Sequence, residues 1–325
     1  MSDKYSKLKL SICIPSYNRG HRALELVEKL LKFKNNIGCE LEVVLSNNGS
    51  DKNTAGYQVL KDVEDKRFKY HEFEYNNRYY GNFNQVIKMS TGDWCLLISD
   101  EDEIIEENLA YYVSIIKSNP NLAVIKAAGD EYDFDDDLIA QAGKEAIDKF
   151  YLRGAYLSGV MYNRKIITNH VIDYLHERYA VGSSMNKAYY YYPHLFVDFF
   201  ALLHGDYFQC KRKLIKCGEA IDDQEKNDSK TIHMAEYTTL ESRMEQMQGF
   251  VQLIADTEMS ELIKITCFKA TIEKYIFLMG YSKNIIKDII LQFMIALIEK
   301  SECKAVIDNK ELFAEFIKNL FDAVF

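Results

Sequence analysis

One stretch of this 325-residue chain carries residue types that could do chemistry directly. The apolar run Trp94-Cys95-Leu96-Leu97-Ile98, preceded by Gly92-Asp93, discharges into Ser99-Asp100-Glu101-Asp102. The run is too short for a buried helix and reads as a buried strand. In open α/β sheets, ligands bind beyond the carboxyl ends of the strands. Carboxylates crowded at such an end repel one another unless a cation joins them, and a hard divalent ion that also bridges phosphates is the usual partner. Asp100, Glu101 and Asp102 are therefore candidate ligands for Mn²⁺ or Mg²⁺, with a solvated acidic turn as the plain alternative.

The elements that would position these carboxylates precede them. Leu8 to Pro15 reads as a first strand closed by Pro15-Ser16-Tyr17-Asn18-Arg19, after which Leu24, Val27, Leu30 and Leu31 recur at helical spacing. Leu41 to Leu45 reads as a second strand ending in Ser46-Asn47-Asn48-Gly49-Ser50-Asp51. Strand, polar loop, helix and strand in succession is the pattern of a parallel sheet. Three strand ends rich in Asn, Asp and Ser would gather on one edge and form a nucleotide-sized crevice. Asn82 and Asn84 open a helix whose apolar face is Val86, Ile87 and Met89.

Taken in order, Ile14-Pro15-Ser16-Tyr17-Asn18-Arg19, Ser46-Asn47-Asn48-Gly49-Ser50-Asp51, Gly81-Asn82-Phe83-Asn84-Gln85 and Ser99-Asp100-Glu101-Asp102 resemble the motifs of family 2 glycosyltransferases with the GT-A fold, over residues 8–210. The resemblance implies an α/β fold, a Rossmann-like mixed sheet flanked by helices. It also implies a nucleotide-sugar donor, a divalent metal held by an Asp-x-Asp-type motif, and inversion at the anomeric carbon. Bacterial members commonly build capsule, O-antigen or other surface glycans on glycan or lipid-linked acceptors. A sugar nucleotidyltransferase and a non-catalytic nucleotide-sugar-binding module are the alternatives.

Residue roles follow from the same resemblance. Pro15, Tyr17 and Asn18 belong to the loop that lines the base pocket, where the Tyr17 ring can stack on a nucleobase. Asn48 stands where many members carry an Asp that accepts from uracil N3–H. Its amide offers both acceptor and donors, so a UDP-sugar is favoured and a CDP-sugar is the alternative. Arg78 and Asn84 fall in the segment that lies under the donor. The metal motif has two registers, Glu101 as the last ligand of Ser99-Asp100-Glu101 or Asp100 with Asp102; Asp100 is expected near the donor's ribose or the metal, with Glu101 or Asp102 ligating. Ser158 and Gly159 match a small-residue segment near the acceptor. The usual Glu-Asp of the catalytic base is replaced by Pro193-His194, counted back from Gly205. His194 is the expected base, with Asp198, one helical turn on, as its rival.

Composition bounds the remainder. A formal net charge of -9 excludes nucleic acid as the main partner. Seven Cys form no Cys-x-x-Cys pair, and several sit in apolar strands, which suits a reducing cytoplasm. The first nine residues lack the apolar segment of a signal peptide. The longest apolar stretch, Ile285 to Ile298, is interrupted by Lys287, Asp288 and Gln292 and is too short to span a bilayer. The pattern is helical from Thr231, so residues 1–225 are expected to be the catalytic domain and 226–325 a helical region. That region would pack on the catalytic domain, with homo-oligomer formation or docking at the inner face of a membrane as alternatives. Lys211-Arg212-Lys213 and Lys216 would then meet anionic lipid or form a solvated strand edge.

Overall fold

A computed structural model describes residues 7–33, 37–130, 132–153, 156–181, 185–219, 236–280, 287–299 and 303–324. Its strands are β1 (Lys9–Ser16), β2 (Glu40–Asn47), β3 (Phe68–Glu72), β4 (Trp94–Leu97), β5 (Glu103–Ile104), β6 (Leu122–Gly129), β7 (Leu138–Ala140), β8 (Val160–Asn163) and β9 (Asp206–Lys216). They form one nine-stranded sheet in the order β3-β2-β1-β4-β8-β6-β9-β5, with β7 paired to β9. The β3-β2-β1-β4 half is parallel, and the direction changes where β8 inserts antiparallel between β4 and β6. The carboxyl ends of β1, β2 and β4 therefore share one edge, as the polar strand ends require.

The helices before residue 219 are α1 (Gly20–Leu31), α2 (Ala55–Lys61), α3 (Arg78–Met89), α4 (Glu106–Ser118), α5 (Lys144–Phe150), α6 (Asn169–Tyr179), α7 (Lys187–Tyr191) and α8 (Pro193–His204). After the short 3-10 turn Glu236–Thr238 come α9 (Leu240–Asp256), α10 (Glu261–Gly280), α11 (Lys287–Glu299), α12 (Lys304–Ile307) and α13 (Lys310–Val324). Parallel strands covered on both faces need apolar side chains in both directions. In β1, Leu10, Ile12 and Ile14 enter one core with Leu26, Val27 and Tyr112, while Cys13 enters the other with Phe83 and Val86. This is the two-residue alternation of a pleated strand.

The second core runs without a break into the carboxyl-terminal helices. Phe196 of α8 lies 5.4 Å from Phe250 of α9, ring to ring, and Phe268 of α10 lies 4.7 Å from Phe313 of α13. Truncating a fully buried ring such as Phe250 would cost about 3–5 kcal/mol, from lost transfer energy and the cavity left behind. The expected domain boundary at 225/226 lies outside the described residues. Among those residues no helix is long and apolar enough to cross a membrane.

One expectation is adjusted. Helix α3 begins at Arg78 rather than at Asn82, so Tyr79 and Tyr80 are helical. The basic residues of β9 are internally matched: Lys211 with Asp136 (3.2 Å), Lys213 with Asp133 (3.4 Å), Lys216 with Glu103 (4.0 Å), and Arg212 over the Tyr111 ring (3.9 Å). The seven cysteines are free thiols, all buried except the partly exposed Cys217.

Candidate active site

A cleft of about 630 Å³ opens where β1, β2 and β4 end. Its first wall is built by Pro15, Tyr17, Asn48, Asn76 and Arg78. Ser16, Arg19, Asn82, Ser99 and Asp100 also line it, and Tyr79, Leu157, Tyr190, Tyr191, Tyr192, His194 and Tyr237 complete the lining.

The first wall is held by amides. Asn18 has a positive φ of 58°, and its side chain bonds Asp51 and the Asp51 and Lys52 N–H groups. It latches the β1 loop to the β2 loop, between Tyr17 and Arg19, which line the cleft. Asn48 is 3% exposed. Its Nδ2 donates to Asn76 Oδ1 (3.1 Å) and to the Arg78 carbonyl (3.0 Å), and its Oδ1 accepts from Asn77 N–H (2.9 Å). Backbone partners fix which end of the amide is which. Both N–H bonds are spent, so only acceptor capacity on Oδ1 remains. Gly49, at φ 65°, is required beside it: a Cβ there would sit 2.3 Å from the Tyr75 backbone.

The carboxylates divide into two groups. Asp100 accepts from Ser16 Oγ (2.5 Å) and Arg19 (3.2 Å), while Glu101 accepts from Ser99 Oγ (2.7 Å) and the same Arg19 nitrogen (2.8 Å). Burial pushes Asp100 up to about 7; Arg19 opposes this and the neighbouring Glu101 charge reinforces it. Burial also disfavours the Glu101 charge, but Ser99, Asp100 and Arg19 outweigh it and hold the group below its ordinary value. Asp102 turns away. Its oxygens take Ser158 Oγ (2.5 Å), Tyr156 OH (3.1 Å) and Gly218 N–H (2.9 Å). A Cβ on Gly218 would meet the Glu101 carbonyl at 1.8 Å, so the 218 strand end must carry glycine to close on this turn. Asp102 ties the 156–158 segment and residue 218 to this turn, and it lines a second pocket together with Asp100 and Glu101. Among the described residues, no three His, Cys, Asp or Glu side chains converge as a complete cage.

Other expected residues are also relocated. Asn84 points to the opposite side of α3, where it bonds Tyr189 OH (3.1 Å) and His176 Nδ1 (3.3 Å). Asn82 lines the cleft instead. Its Nδ2 donates to the Ser16 carbonyl (3.1 Å), and its buried Oδ1 has no hydrogen-bond partner among the described residues. Ser158 is fully buried between Asp102 and the Ser99 N–H, and Gly159, at φ 86°, bonds the Leu97 carbonyl. Neither lines the cleft; both sit beneath it, where Ser158 joins Asp102 to the Ser99 N–H.

Helix α8 starts at Pro193, whose ring suits the first helical position. His194 follows at the cleft wall, among the rings of Tyr79 (6.3 Å), Phe83 (6.3 Å) and Tyr192 (6.1 Å). Asp198 lies one turn deeper and outside the lining, accepting from Tyr162 OH at 2.6 Å. Burial raises it to about 6, opposed by Lys126 and the Tyr162 bond.

Residues 11–165 match the profile described as Glycosyl transferase family 2. Over that stretch the chain is similar to family 2 glycosyltransferases. The fold around it resembles that of S. aureus TarS. Residues 1–349 of TarS align with a TM-score of 0.63 at 13% identity, covering 97% of this chain and 91% of that one. The same fragment in complex with UDP-GlcNAc gives 0.63 at 12% identity, with the same coverage. A longer TarS structure gives 0.63 at 14%, covering 98% of this chain and 55% of that one. These likenesses establish the GT-A architecture. A search of the curated proteins finds no sequence match.

In the transferase cleft, sequence reasoning missed Arg19, Asn82 and the tyrosines. Arg19 had a signal in its place directly after Tyr17-Asn18 on the first strand loop. The run Tyr189-Tyr190-Tyr191-Tyr192 ahead of Pro193 was equally visible, since four consecutive tyrosines are unusual for a core helix.

Proposed function

We propose that the protein transfers a sugar from a uridine diphosphate sugar to a hydroxyl of a carbohydrate acceptor, with inversion in a single displacement. The observation that carries this reading is one cleft holding an acceptor-only amide at Asn48, a poorly compensated carboxylate at Asp100 and an imidazole at His194. Uracil N3–H is a donor and matches the remaining capacity of Asn48 Oδ1, whereas cytosine N3 needs a donor that Asn48 no longer has. The complex of TarS with UDP-GlcNAc supports the same nucleotide class. Tyr17, 38% exposed at the mouth, offers a face for the base.

Asp100 and Glu101 fit a divalent cation, because both are hard oxygen donors at the cleft floor and burial leaves Asp100 short of positive charge. They would hold Mn²⁺ or Mg²⁺ together with oxygens of the diphosphate, and the ion supplies charge neutralisation of the leaving group when bound. Arg19 adds a fixed positive charge beside the same carboxylates. Asn82 Oδ1 accepts from a donor hydroxyl. His194 takes the proton of the attacking acceptor hydroxyl, and the surrounding rings exclude water from it.

Isothermal calorimetry with UDP, CDP and GDP, each with and without Mn²⁺, tests the reading. UDP binding that strengthens with Mn²⁺ and exceeds CDP binding is the expected result. CDP binding more tightly than UDP would overturn the assignment of Asn48.

A further inference from the structure

A single nitrogen bridges the two carboxylates that fit a divalent cation. Arg19 Nη1 lies 3.2 Å from Asp100 Oδ1 and 2.8 Å from Glu101 Oε2. An ion ligated by this pair would take the same two oxygens, at the roughly 2.0–2.1 Å that Mg²⁺ keeps to oxygen. Guanidinium and ion cannot share that place, because they overlap in space and carry like charges. The root of Arg19 is pinned. Its backbone N–H donates to Tyr57 OH (3.1 Å), Tyr57 OH and Ser16 Oγ share a hydrogen bond of 2.6 Å, and Ser16 Oγ donates to Asp100 Oδ2 (2.5 Å). The next residue, Gly20, donates to the Asn53 carbonyl (3.0 Å), and a Cβ there would meet that oxygen at 2.4 Å. The tip is more open. The Arg19 side chain is 26% exposed, against 3% for Asp100 and 14% for Glu101, and Arg19 lines the cleft beside Ser16 and Asn82. A long side chain on a rigid root can change rotamer and partner while the loop beneath it stays still.

We propose that Arg19 is a resident stand-in for the divalent cation: it neutralises Asp100 and Glu101 in the nucleotide-free protein, releases them when the ion binds, and turns its guanidinium to the diphosphate oxygens. The proposal rests on the transferase reading above and adds a rule of order to it. A planar fork of N–H donors matches phosphate oxygens in pairs, so the diphosphate offers Arg19 a partner as good as the one it gives up. The carboxylates become available only as Arg19 leaves, and Arg19 leaves readily only when a diphosphate receives it. Metal and nucleotide therefore strengthen one another, each by the same factor. Metal without nucleotide has to compete with an arginine.

Mn²⁺ titrations followed by electron paramagnetic resonance, on the full chain with and without saturating UDP, provide the test, corrected for Mn²⁺ held by free UDP. The wild type is expected to bind Mn²⁺ weakly alone and about tenfold or more tightly with UDP. Arg19→Gln removes the competing charge and should bind Mn²⁺ alone about tenfold more tightly than the wild type, with little further gain from UDP. Adding Asp100→Asn to that variant should abolish the gain; a gain that persists would place the ion elsewhere and overturn the proposal. Arg19→Lys keeps the charge and should bind Mn²⁺ alone as weakly as the wild type. Equal or weaker Mn²⁺ binding by a folded Arg19→Gln without UDP would overturn the proposal, by making Arg19 a support of the carboxylates rather than a competitor for them. The wild-type coupling needs no variant: UDP that binds and leaves Mn²⁺ affinity unchanged would also overturn the proposal while the transferase reading stands. A gain in Arg19→Gln by a protein that binds no uridine nucleotide would support the displacement and sink the transferase reading instead.

Discussion

Two buried carboxylates at opposite edges of the parallel half of the sheet behave in opposite ways. Glu42, toward the amino end of β2, is 2% exposed. It receives Lys9 Nζ (2.8 Å), Ser11 Oγ (2.6 Å), and Thr91 through both N–H (2.8 Å) and Oγ1 (2.7 Å), with Lys69 at 2.9 Å. Burial alone would raise it, but these donors overwhelm that effect and bring it to about 2. Asp100, at the carboxyl end of β1 and β4, is 5% exposed and is raised to about 7 with Arg19 as its cation and a second carboxylate beside it. Where the fold supplies every counter-charge, the carboxylate is structural. Where the fold leaves the charge short, a ligand has to complete it.

The largest effect should come from the residue that faces the cleft rather than the core. His194→Ala is expected to lower sugar transfer about 10²–10⁴-fold while UDP affinity holds. Asp198→Asn, hidden against Tyr162 and near Lys126, should shift melting temperature more than rate. Wild-type turnover in His194→Ala alongside a dead Asp198→Asn would reverse the assignment and make Asp198 the base. Next, Asp100→Asn should reduce transfer about 10²–10³-fold, on the scale of losing one preorganised electrostatic contact, with thermal stability at pH 8 unchanged or raised. Glu42→Gln should do the reverse. It should cost about 2–3 kcal/mol by urea unfolding and leave turnover per folded molecule intact, since it strips a charged partner from several donors. Equal loss of activity in both variants at intact stability would break the contrast between the two ends of the sheet.

The smallest effect concerns acid. Glu42 is depressed in the folded state from its ordinary value of 4.5 to about 2. Its contribution is therefore fully present above pH 4.5 and is lost as the pH falls toward 2. Stability measured between those limits should fall less steeply in Glu42→Gln than in the wild type. Parallel slopes would show that the charge is not what Glu42 contributes.

Much of the fold was legible because β1, β2 and β4 are largely buried on both faces and so read as mainly apolar runs ending in polar loops. The start of α8 was legible for a local reason: proline at the first helical position and glycine after the last. The site was legible to the level of loops and less so to the level of side chains. Asn82 and Asn84 have the same chemistry, and only the rotation of α3 decides which one faces the cleft. Asp102 and Ser158 read as site residues from their motifs, whereas their mutual bond joins segments far apart in the chain and no local pattern reveals it. The place of Tyr237 in the cleft lining depends on Gln246, which donates to its carbonyl, and on how α9 lies against α7, again a tertiary fact.

The contact of Phe196 with Phe250 has a consequence for the order in which the chain can be made. During synthesis from the amino terminus, the parallel half of the sheet can close on α1 and α3 as soon as β4 has emerged. Helices α7 and α8 cannot. Phe196 packs on Tyr179 and Tyr189 but lacks its Phe250 partner until α9 leaves the ribosome, several seconds later at roughly 5–20 residues per second. Through that interval the nascent enzyme displays a tyrosine- and phenylalanine-rich face directly beside its half-built cleft, and that face is where a chaperone would hold it.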